Sequence, residues 1–313
     1  MLYRRPRNVC IPYRLGKMEG DLMGGNRWKL WQTEFESPVL LASGTAGFGL
    51  ELQDLNCLEG VAAVVSKATT LEPREGNPPP RIIETRFGLL NSIGLANPGV
   101  REVVDSILPR AFRLPVPLIV NVAGKTAEEY VKVVEILETS QVPFGYEVNV
   151  SCPNVEEGGR AFGASPDVVR RVAEMVAGVS RRPFSVKLTP NEGSIVDAAI
   201  AAQSGGASAV TVCNTFLGMK MDWKTGRTPL ALKTGGYSSP ALLPLTVARV
   251  YSVSGAVDIP VLASGGVSRP EDILELLAAG ASMVQVGSWL MRRPSAALEL
   301  LEGVRSMSEE VEL

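Results

Sequence analysis

The sequence of 313 residues predicts a single-domain α/β protein, a (β/α)8 TIM barrel. Eight short runs rich in Val, Ile and Ala recur along the chain, and a helix-like or loop region follows each of them. The runs are continuously apolar instead of alternating, which is typical of parallel strands buried on both faces. Eight such units fit in about 260 residues, a usual size for this barrel. A doubly wound sheet is the alternative, but the glycine cluster at 44–49 lacks the spacing of a dinucleotide fingerprint.

The elements follow from the local pattern. The predicted strands cover residues 38–44, 62–69, 117–124, 146–152, 184–190, 207–215, 260–266 and 283–289. Three helices have clear boundaries, at residues 127–139, 166–179 and 270–279. Thr126 and Ser165 are suited to cap the first two at their N-termini, and Ser268 or Arg269 precedes the third. Gly280 ends that third helix.

The composition narrows the possible chemistry. With 31 basic and 33 acidic residues the formal charge is −2, which argues against nucleic acid as the main partner. The chain has no histidine, so it can build neither a Ser-His-Asp triad nor a histidine-ligated metal site. The four cysteines form no CxxC pair, and we expect no metal site. A general base must therefore be Asp, Glu, Lys, Tyr or Cys.

The first 29 residues differ from the rest, because they carry seven basic and two acidic residues and show no clear periodicity. We predict a poorly ordered basic extension over 1–29 and a catalytic barrel domain over 30–313. No apolar signal segment is visible and cysteines are few, so we expect a cytoplasmic protein.

Polar side chains stand at the ends of the predicted strands, the end at which such barrels build their sites. Two lysines and several asparagines are among them: Ser43, Lys67, Asn121, Asn149, Ser151, Cys152, Lys187, Asn214 and Thr215. Asn91 joins them from a stretch that we interpret as a helical linker after the second strand. Any one of these residues alone could be a turn former or a solvated charge. Their convergence indicates a site, whereas Cys57 and Cys213 are expected to be small buried hydrophobes.

Short glycine-containing segments close the last two strands, SGG at 264–266 and VGS at 286–288. Barrels commonly bind phosphate at this position, although a pair of tight turns would also explain the glycines. A phosphate site beside two lysines and several amides suits flavin mononucleotide, FMN. A lysine near the pyrimidine end of the flavin would stabilise its anionic reduced form.

Eight stretches between about residue 30 and residue 293 occur in an order that points to one family. KATTLEPREGNPPPR (67–81) and NVSCPNVEEGG (149–159) are the most specific. The others are LLNSIGLANPG (89–99), NVAG (121–124), VKLTPN (186–191), NT (214–215), TGGYSSPALLP (234–244) and SGGV (264–267). Together they resemble the dihydroorotate dehydrogenases.

The resemblance implies an FMN-binding barrel that oxidises (S)-dihydroorotate to orotate in de novo pyrimidine (UMP) biosynthesis. Class 1 members use a cysteine base, as Cys152 would be, and NSIGLANPG with KATT looks most like class 1B. Those enzymes form homodimers within a heterotetramer, in which a second subunit carries FAD and an iron–sulfur cluster and passes electrons to NAD. The extension at 1–29 is too short and polar for the membrane-binding domain of class 2.

Carried over by position, the resemblance implies that Cys152 removes a proton from carbon 5 while hydride leaves carbon 6 for the flavin. The implied substrate-binding residues are Lys67, Asn91, Ile93, Gly94, Leu95, Asn149, Asn154, Asn214 and Thr215. The implied FMN-binding residues are Ala42, Ser43, Lys67, Asn121, Asn149, Lys187, Gly236, Gly265, Gly266, Gly287 and Ser288. Residues 152–163 would form a loop that closes over the site.

Two departures from the family pattern concern cofactor details. Ser239 stands where a glycine is expected, and SGTAGFG lacks a cysteine that often follows its first glycine. Alternatives stay open: a fumarate-dependent class 1A enzyme, or an FMN oxidoreductase for another dihydropyrimidine. A dihydrouridine synthase would need a basic RNA-binding region, whereas residues 30–313 carry a charge of −7. A non-enzymatic flavin- or phosphate-binding barrel would leave Cys152 idle.

Overall fold

The computed structural model describes residues 28–151 and 165–311. Its strands are β1 (Trp28–Leu30), β2 (Thr33–Phe35), β3 (Val39–Leu41), β4 (Ala63–Val65), β5 (Ile82–Glu84), β6 (Leu89–Asn91), β7 (Leu118–Val122), β8 (Pro143–Asn149), β9 (Phe184–Lys187), β10 (Ala209–Val212), β11 (Phe216–Gly218), β12 (Gly235–Ser238), β13 (Val261–Ser264) and β14 (Met283–Val286). Its helices are α1 (Leu50–Asp54), α2 (Val100–Glu102), α3 (Leu108–Ala111), α4 (Ala127–Leu137), α5 (Pro166–Ala177), α6 (Ile195–Ser204), α7 (Leu243–Ser254), α8 (Pro270–Ala278) and α9 (Ala296–Val311). A π-helical turn, Val103–Ile107, joins α2 to α3.

Eight parallel strands close into a barrel in the order β3-β4-β7-β8-β9-β10-β13-β14, which is also their order along the chain. Each lies within or overlaps one of the eight predicted strands, so the predicted (β/α)8 barrel is confirmed. The strand β8 begins at Pro143, three residues before its predicted start. The burial of the strands agrees with the sequence pattern, because β3, β4, β7, β10, β13 and β14 are buried at every position.

The predicted helix boundaries hold to within two residues at the C-termini. Thr126 caps α4, since its Oγ1 accepts a hydrogen bond from the N–H of Glu129. Ser165 occupies the N-cap position of α5 without a side-chain bond. At α8 the carboxylate of Asp272 accepts from the N–H groups of Ser268 and Arg269, 2.8 and 2.9 Å away.

A hairpin of β1 and β2 closes the amino-terminal end of the barrel. Leu30 and Phe35 from the hairpin are buried against barrel residues, and Trp31 packs on Phe144 with ring centroids 5.3 Å apart. Gly145 makes room for this closure, since a Cβ there would lie 2.6 Å from the Trp31 ring. The predicted extension over 1–29 thus overlaps β1 by two residues, and its remainder lies outside the described residues.

A separate antiparallel sheet, ordered β11-β12-β6-β5, stands at the opposite end of the barrel. Asn91 ends β6 and pairs with Gly236 in β12, so our interpretation of its segment as a helical linker was wrong. The pairing joins segments about 145 residues apart, which no local pattern reveals. Within residues 28–151 and 165–311, no helix is long and apolar enough to cross a membrane. A cytoplasmic location stays a prediction.

Candidate active site

A cavity of about 480 Å³ opens at the carboxyl ends of the barrel strands and is covered on one side by the antiparallel sheet. It is lined by most of the residues that the sequence singled out: Ala42, Ser43, Lys67, Asn91, Ile93, Leu95, Asn121, Asn149, Lys187, Asn214, Thr215, Gly265, Gly266, Gly287 and Ser288. One or more of these residues lie at the ends of β7, β8 and β9, or within two residues after β3, β4 and β10. Residues far apart in sequence therefore meet at one site, as the barrel topology requires.

Two predicted residues lie beside the cavity instead of on its wall. Gly94 falls between the lining residues Ile93 and Leu95, in a left-handed conformation with φ of +74°. The carbonyl of Gly236 accepts a hydrogen bond from Asn91 Nδ2 at 3.1 Å. The proposed base Cys152, Asn154 and the predicted closing loop over 152–163 lie outside the described residues, so their roles stay predictions.

Amide side chains from two strand ends form one hydrogen-bonded group on the cavity wall. Asn214 Nδ2 donates to Asn149 Oδ1 at 3.2 Å, and the N–H of Ser151 donates to the same oxygen. Asn149 is held in place from behind, because the hydroxyl of Tyr130 donates to its carbonyl at 2.8 Å. Asn214 Oδ1 in turn accepts from the N–H of Thr215. The group offers both donors and acceptors to a planar polar ligand.

Beneath the cavity lies a charged network that the sequence reasoning missed. Glu147 is fully buried and its carboxylate accepts from Lys187, Asn121, Thr211 and Gln285, at 3.2, 2.8, 2.9 and 2.7 Å respectively. Burial by itself would raise the pKa of Glu147, but the Lys187 charge and these hydrogen bonds outweigh it and hold the pKa below its ordinary value. The carboxylate is therefore ionised at neutral pH.

A signal for this network was present in the sequence. Glu147 and Gln285 are polar residues inside otherwise apolar strands, two positions before the strand-end residues Asn149 and Gly287. Because strand side chains alternate between faces, residues two apart point the same way, into the barrel. Cys213 was expected to be a buried hydrophobe, and it is buried, but it also lines the cavity.

The Cys213 thiol is unsuited to act as a base. Burial raises its pKa to about 12, against the opposing charges of Arg249 and Lys187. A thiol with this pKa stays protonated at neutral pH. Of the cysteines in the described ranges, Cys57 and Cys213 are both buried and free.

Several features of the cavity fit a flavin mononucleotide. Asn121 Oδ1 is buried with no hydrogen-bond partner in the described part of the chain, which leaves an acceptor available to a ligand N–H. Gly265 and Gly266 have φ of +121° and +90°, and a Cβ on Gly266 would lie 2.5 Å from Leu243 Cα. The glycine turn thus packs directly against the start of α7, where backbone N–H groups suit a phosphate.

Ser239, the departure from the expected glycine, has a local structural role. Its hydroxyl donates to the carbonyl of Phe87 at 2.7 Å and accepts from the N–H of Ala241 at 3.1 Å. It thereby caps the short 3-10 helix Pro240–Leu242 that precedes α7. The substitution leaves the glycine turn beside α7 in place.

Comparison with known proteins gives a consistent result. The model of the dihydroorotate dehydrogenase family matches residues 27–307. Three similar proteins carry the name dihydroorotate dehydrogenase B (NAD(+)), catalytic subunit. That of Bacillus pumilus is 45% identical over 85% of this chain and 86% of its own length. That of Geobacillus kaustophilus is 47% identical over 81% of each chain, and that of Halalkalibacterium halodurans is 42% identical over 88% of this chain and 90% of its own.

Proposed function

The chain belongs to the dihydroorotate dehydrogenase family, and we propose that it oxidises (S)-dihydroorotate to orotate in pyrimidine synthesis and passes the electrons through FMN towards NAD. One observation carries this proposal. The cavity gathers two lysines, a group of asparagine amides and two glycine turns at the carboxyl end of the barrel. This combination suits an anionic, planar, amide-rich substrate lying beside a phosphate-bearing cofactor.

The cofactor would be held by residues from several strand ends. The turns at Gly265-Gly266 and Gly287-Ser288 would bind its phosphate, and Asn121 Oδ1 can accept from a ring N–H. Lys187, which is 4% exposed, supplies positive charge from the barrel interior. When bound, FMN accepts the hydride that leaves carbon 6 of dihydroorotate.

The substrate would be oriented by three asparagine side chains that line the cavity. Dihydroorotate carries one carboxylate, two ring N–H groups and two ring carbonyls. Asn91, Asn149 and Asn214 offer both donors and acceptors, so they can match N–H and carbonyl groups alike. Lys67 lines the same cavity and can balance the substrate carboxylate. Asn154, Thr215 and the backbone of 93–95 complete the proposed set.

The proton on carbon 5 needs a base, and the chain has no histidine to provide one. We assign this role to Cys152, which follows Ser151 directly. Ser151 is held next to the cavity-lining residue Lys187, since its Oγ donates to the carbonyl of Lys187 at 3.2 Å. A thiolate at Cys152 would take the proton from carbon 5 and become a thiol, while the hydride leaves carbon 6, so the substrate loses two hydrogens in total.

The test is the Cys152→Ala variant, assayed by the absorbance of orotate formed. We expect FMN to stay bound and turnover to fall by roughly 10²–10⁴-fold, the usual contribution of a general base. Cys57→Ala is the matched control, because Cys57 is buried outside the cavity and should leave turnover unchanged. Unchanged turnover in Cys152→Ala would remove the assignment. A native protein purified without flavin would contradict the proposed function itself.

The similar proteins are named as catalytic subunits, which motivates the remaining part of the proposal. A partner subunit would hold FAD, an iron–sulfur cluster and the NAD site, in a heterotetramer built on a homodimer of this chain. The isolated chain should then oxidise dihydroorotate with an artificial dye but reduce NAD slowly until the partner is added. Rapid NAD reduction by the isolated chain would contradict this arrangement, and rapid turnover with fumarate would favour the class 1A alternative.

A further inference from the structure

The Lys187 ammonium lies between the cavity and a buried acid. Its Nζ is 3.2 Å from Ser43 Oγ, 3.2 Å from Glu147 Oε1 and 3.3 Å from Gln285 Oε1. Three acceptors match the three protons of an ammonium group, so its position is fully determined. Ser43 and Gln285 also line the cavity, which places the charge directly beneath any ligand bound there.

Glu147 is held just as firmly. Its four donors come from β7, β9, β10 and β14, so a single carboxylate on β8 connects five strands of the barrel. The Glu147 and Lys187 side chains are 0% and 5% exposed, so solvent hardly screens their interaction. The pair as a whole carries no net charge.

The neutrality of this ion pair affects how readily a flavin bound in the cavity takes up negative charge. Two-electron reduction of FMN with uptake of one proton adds one negative charge to the ring system. Lys187 would favour that charge and Glu147, immediately behind it, opposes it. The other titratable side chains that line the cavity in the described ranges are Lys67, Cys213 and Tyr237. None of these three side chains forms a hydrogen bond with the Glu147 carboxylate.

We propose that Glu147 is a positioning residue that fixes the Lys187 ammonium and lowers the two-electron reduction potential of the bound FMN by offsetting its charge. The inference rests on the proposed function, since it requires FMN in this cavity. A lower potential of the flavin favours onward transfer of electrons, which suits an acceptor such as NAD whose own reduction potential is low.

The test is the reduction potential of FMN in purified Glu147→Gln protein, measured against reference dyes between pH 6 and pH 8. The amide keeps the shape of the side chain and removes its charge. If Lys187 keeps its proton, the potential rises by about 30 mV for each tenfold gain in the reduced over the oxidised form. If Lys187 releases its proton in this variant, reduction of the flavin must take that proton up again. The potential then falls by about 30 mV more for each pH unit than it does in the native protein.

Matched variants separate this role from a structural one. Glu147→Asp keeps the charge and should largely restore the native potential. Thr211→Val removes one hydrogen bond to Glu147 without changing charge and should leave the potential and its pH slope unchanged. A shift in Thr211→Val as large as that in Glu147→Gln would overturn the proposal, because loss of packing alone would then explain it.

A second comparison applies even if Glu147→Gln folds poorly. In Lys187→Met, the unpaired buried carboxyl should take up a proton, so adding Glu147→Gln should change the potential no further. Different potentials in the single and double variants would show that Glu147 does not act through Lys187. Native protein without FMN would contradict the proposed function. Native protein with FMN, whose potential and pH slope are unaltered by Glu147→Gln, would overturn this inference alone.

Discussion

The two halves of the barrel interior are built from the same strands yet follow opposite rules. Inward-facing residues near the amino ends are apolar, and the residue two positions later on the same strand is polar. The pairs include Ile119 and Asn121, Ala209 and Thr211, Leu262 and Ser264, and Met283 and Gln285, all at least 92% buried. The lower half, closed by the β1–β2 hairpin, is a hydrophobic core. The upper half is a network of charges and amides around Glu147.

The difference separates stability from function within one fold. Apolar burial in the lower half stabilises the barrel in proportion to the area removed from water. A buried ion pair in the upper half adds little net stability, because desolvation of both charges offsets their attraction. Loss of one partner alone is strongly destabilising, however, because it leaves an uncompensated buried charge. The upper half therefore contributes little to the stability of the fold and yet tolerates substitution poorly, which is typical of a functional site.

The largest loss of stability is expected from Lys187→Met, which leaves Glu147 buried without its counter-ion. We expect a decrease of about 3–5 kcal/mol in the free energy of unfolding at pH 7, measured by urea denaturation. The effect depends on pH. In the variant, the buried Glu147 carboxyl lacks a counter-ion and must take up a proton, and the free-energy cost of that protonation falls as pH falls from 7 towards the ordinary pKa of the carboxyl. In the native protein, the lowered pKa of Glu147 keeps the carboxylate ionised, so its contribution to stability is lost only below that ordinary value. The gap between native protein and variant should therefore narrow from pH 7 towards pH 4, and a constant gap would contradict the charge argument.

In the lower half, Leu262→Ala should cost about 2–5 kcal/mol, the usual range for removing a buried leucine side chain. Leu262 is 1% exposed and belongs to the apolar cluster closed by the hairpin. Since no ionisable group is involved, the loss should be the same at pH 7 and pH 5. The reduction potential of the proposed FMN should stay native, because the substitution lies one layer below the cavity. A pH-dependent loss would show that the two halves are coupled more closely than their chemistry indicates.

The smallest effect is expected from Gly145→Ala, which tests how the lower half is closed. The added methyl group would meet the Trp31 ring and should reduce the free energy of unfolding by about 1–3 kcal/mol. Trp31→Leu removes that ring and serves as the second arm of a double-mutant cycle. The alanine should cost less in the Trp31→Leu background than in the native one. Equal costs in both backgrounds would place the strain elsewhere, for example at the carbonyl of Pro183.

The strands of the barrel could be predicted because their signal is local. A continuous apolar run such as 117–124 reports its own burial on both faces, and the observed β7 lies within it. The strand-end residues Lys67, Asn121 and Lys187 could be predicted for the same reason, once the barrel placed all strand ends on one face. The four-stranded sheet could not, because β6 is a strand only by pairing with β5 and with β12, which lies far along the chain.

The barrel, the family and most of the cavity wall could be inferred from the sequence, since they follow from apolar runs and from short motifs. The folded structure was needed to show that Asn91 lies on a strand facing Gly236, and that Glu147 and Lys187 form one buried pair. These contacts depend on closure of the barrel, which sets which inward-facing side chains become neighbours. A carboxylate and an ammonium that are 40 residues apart in sequence form a neutral ion pair only when β8 and β9 lie side by side.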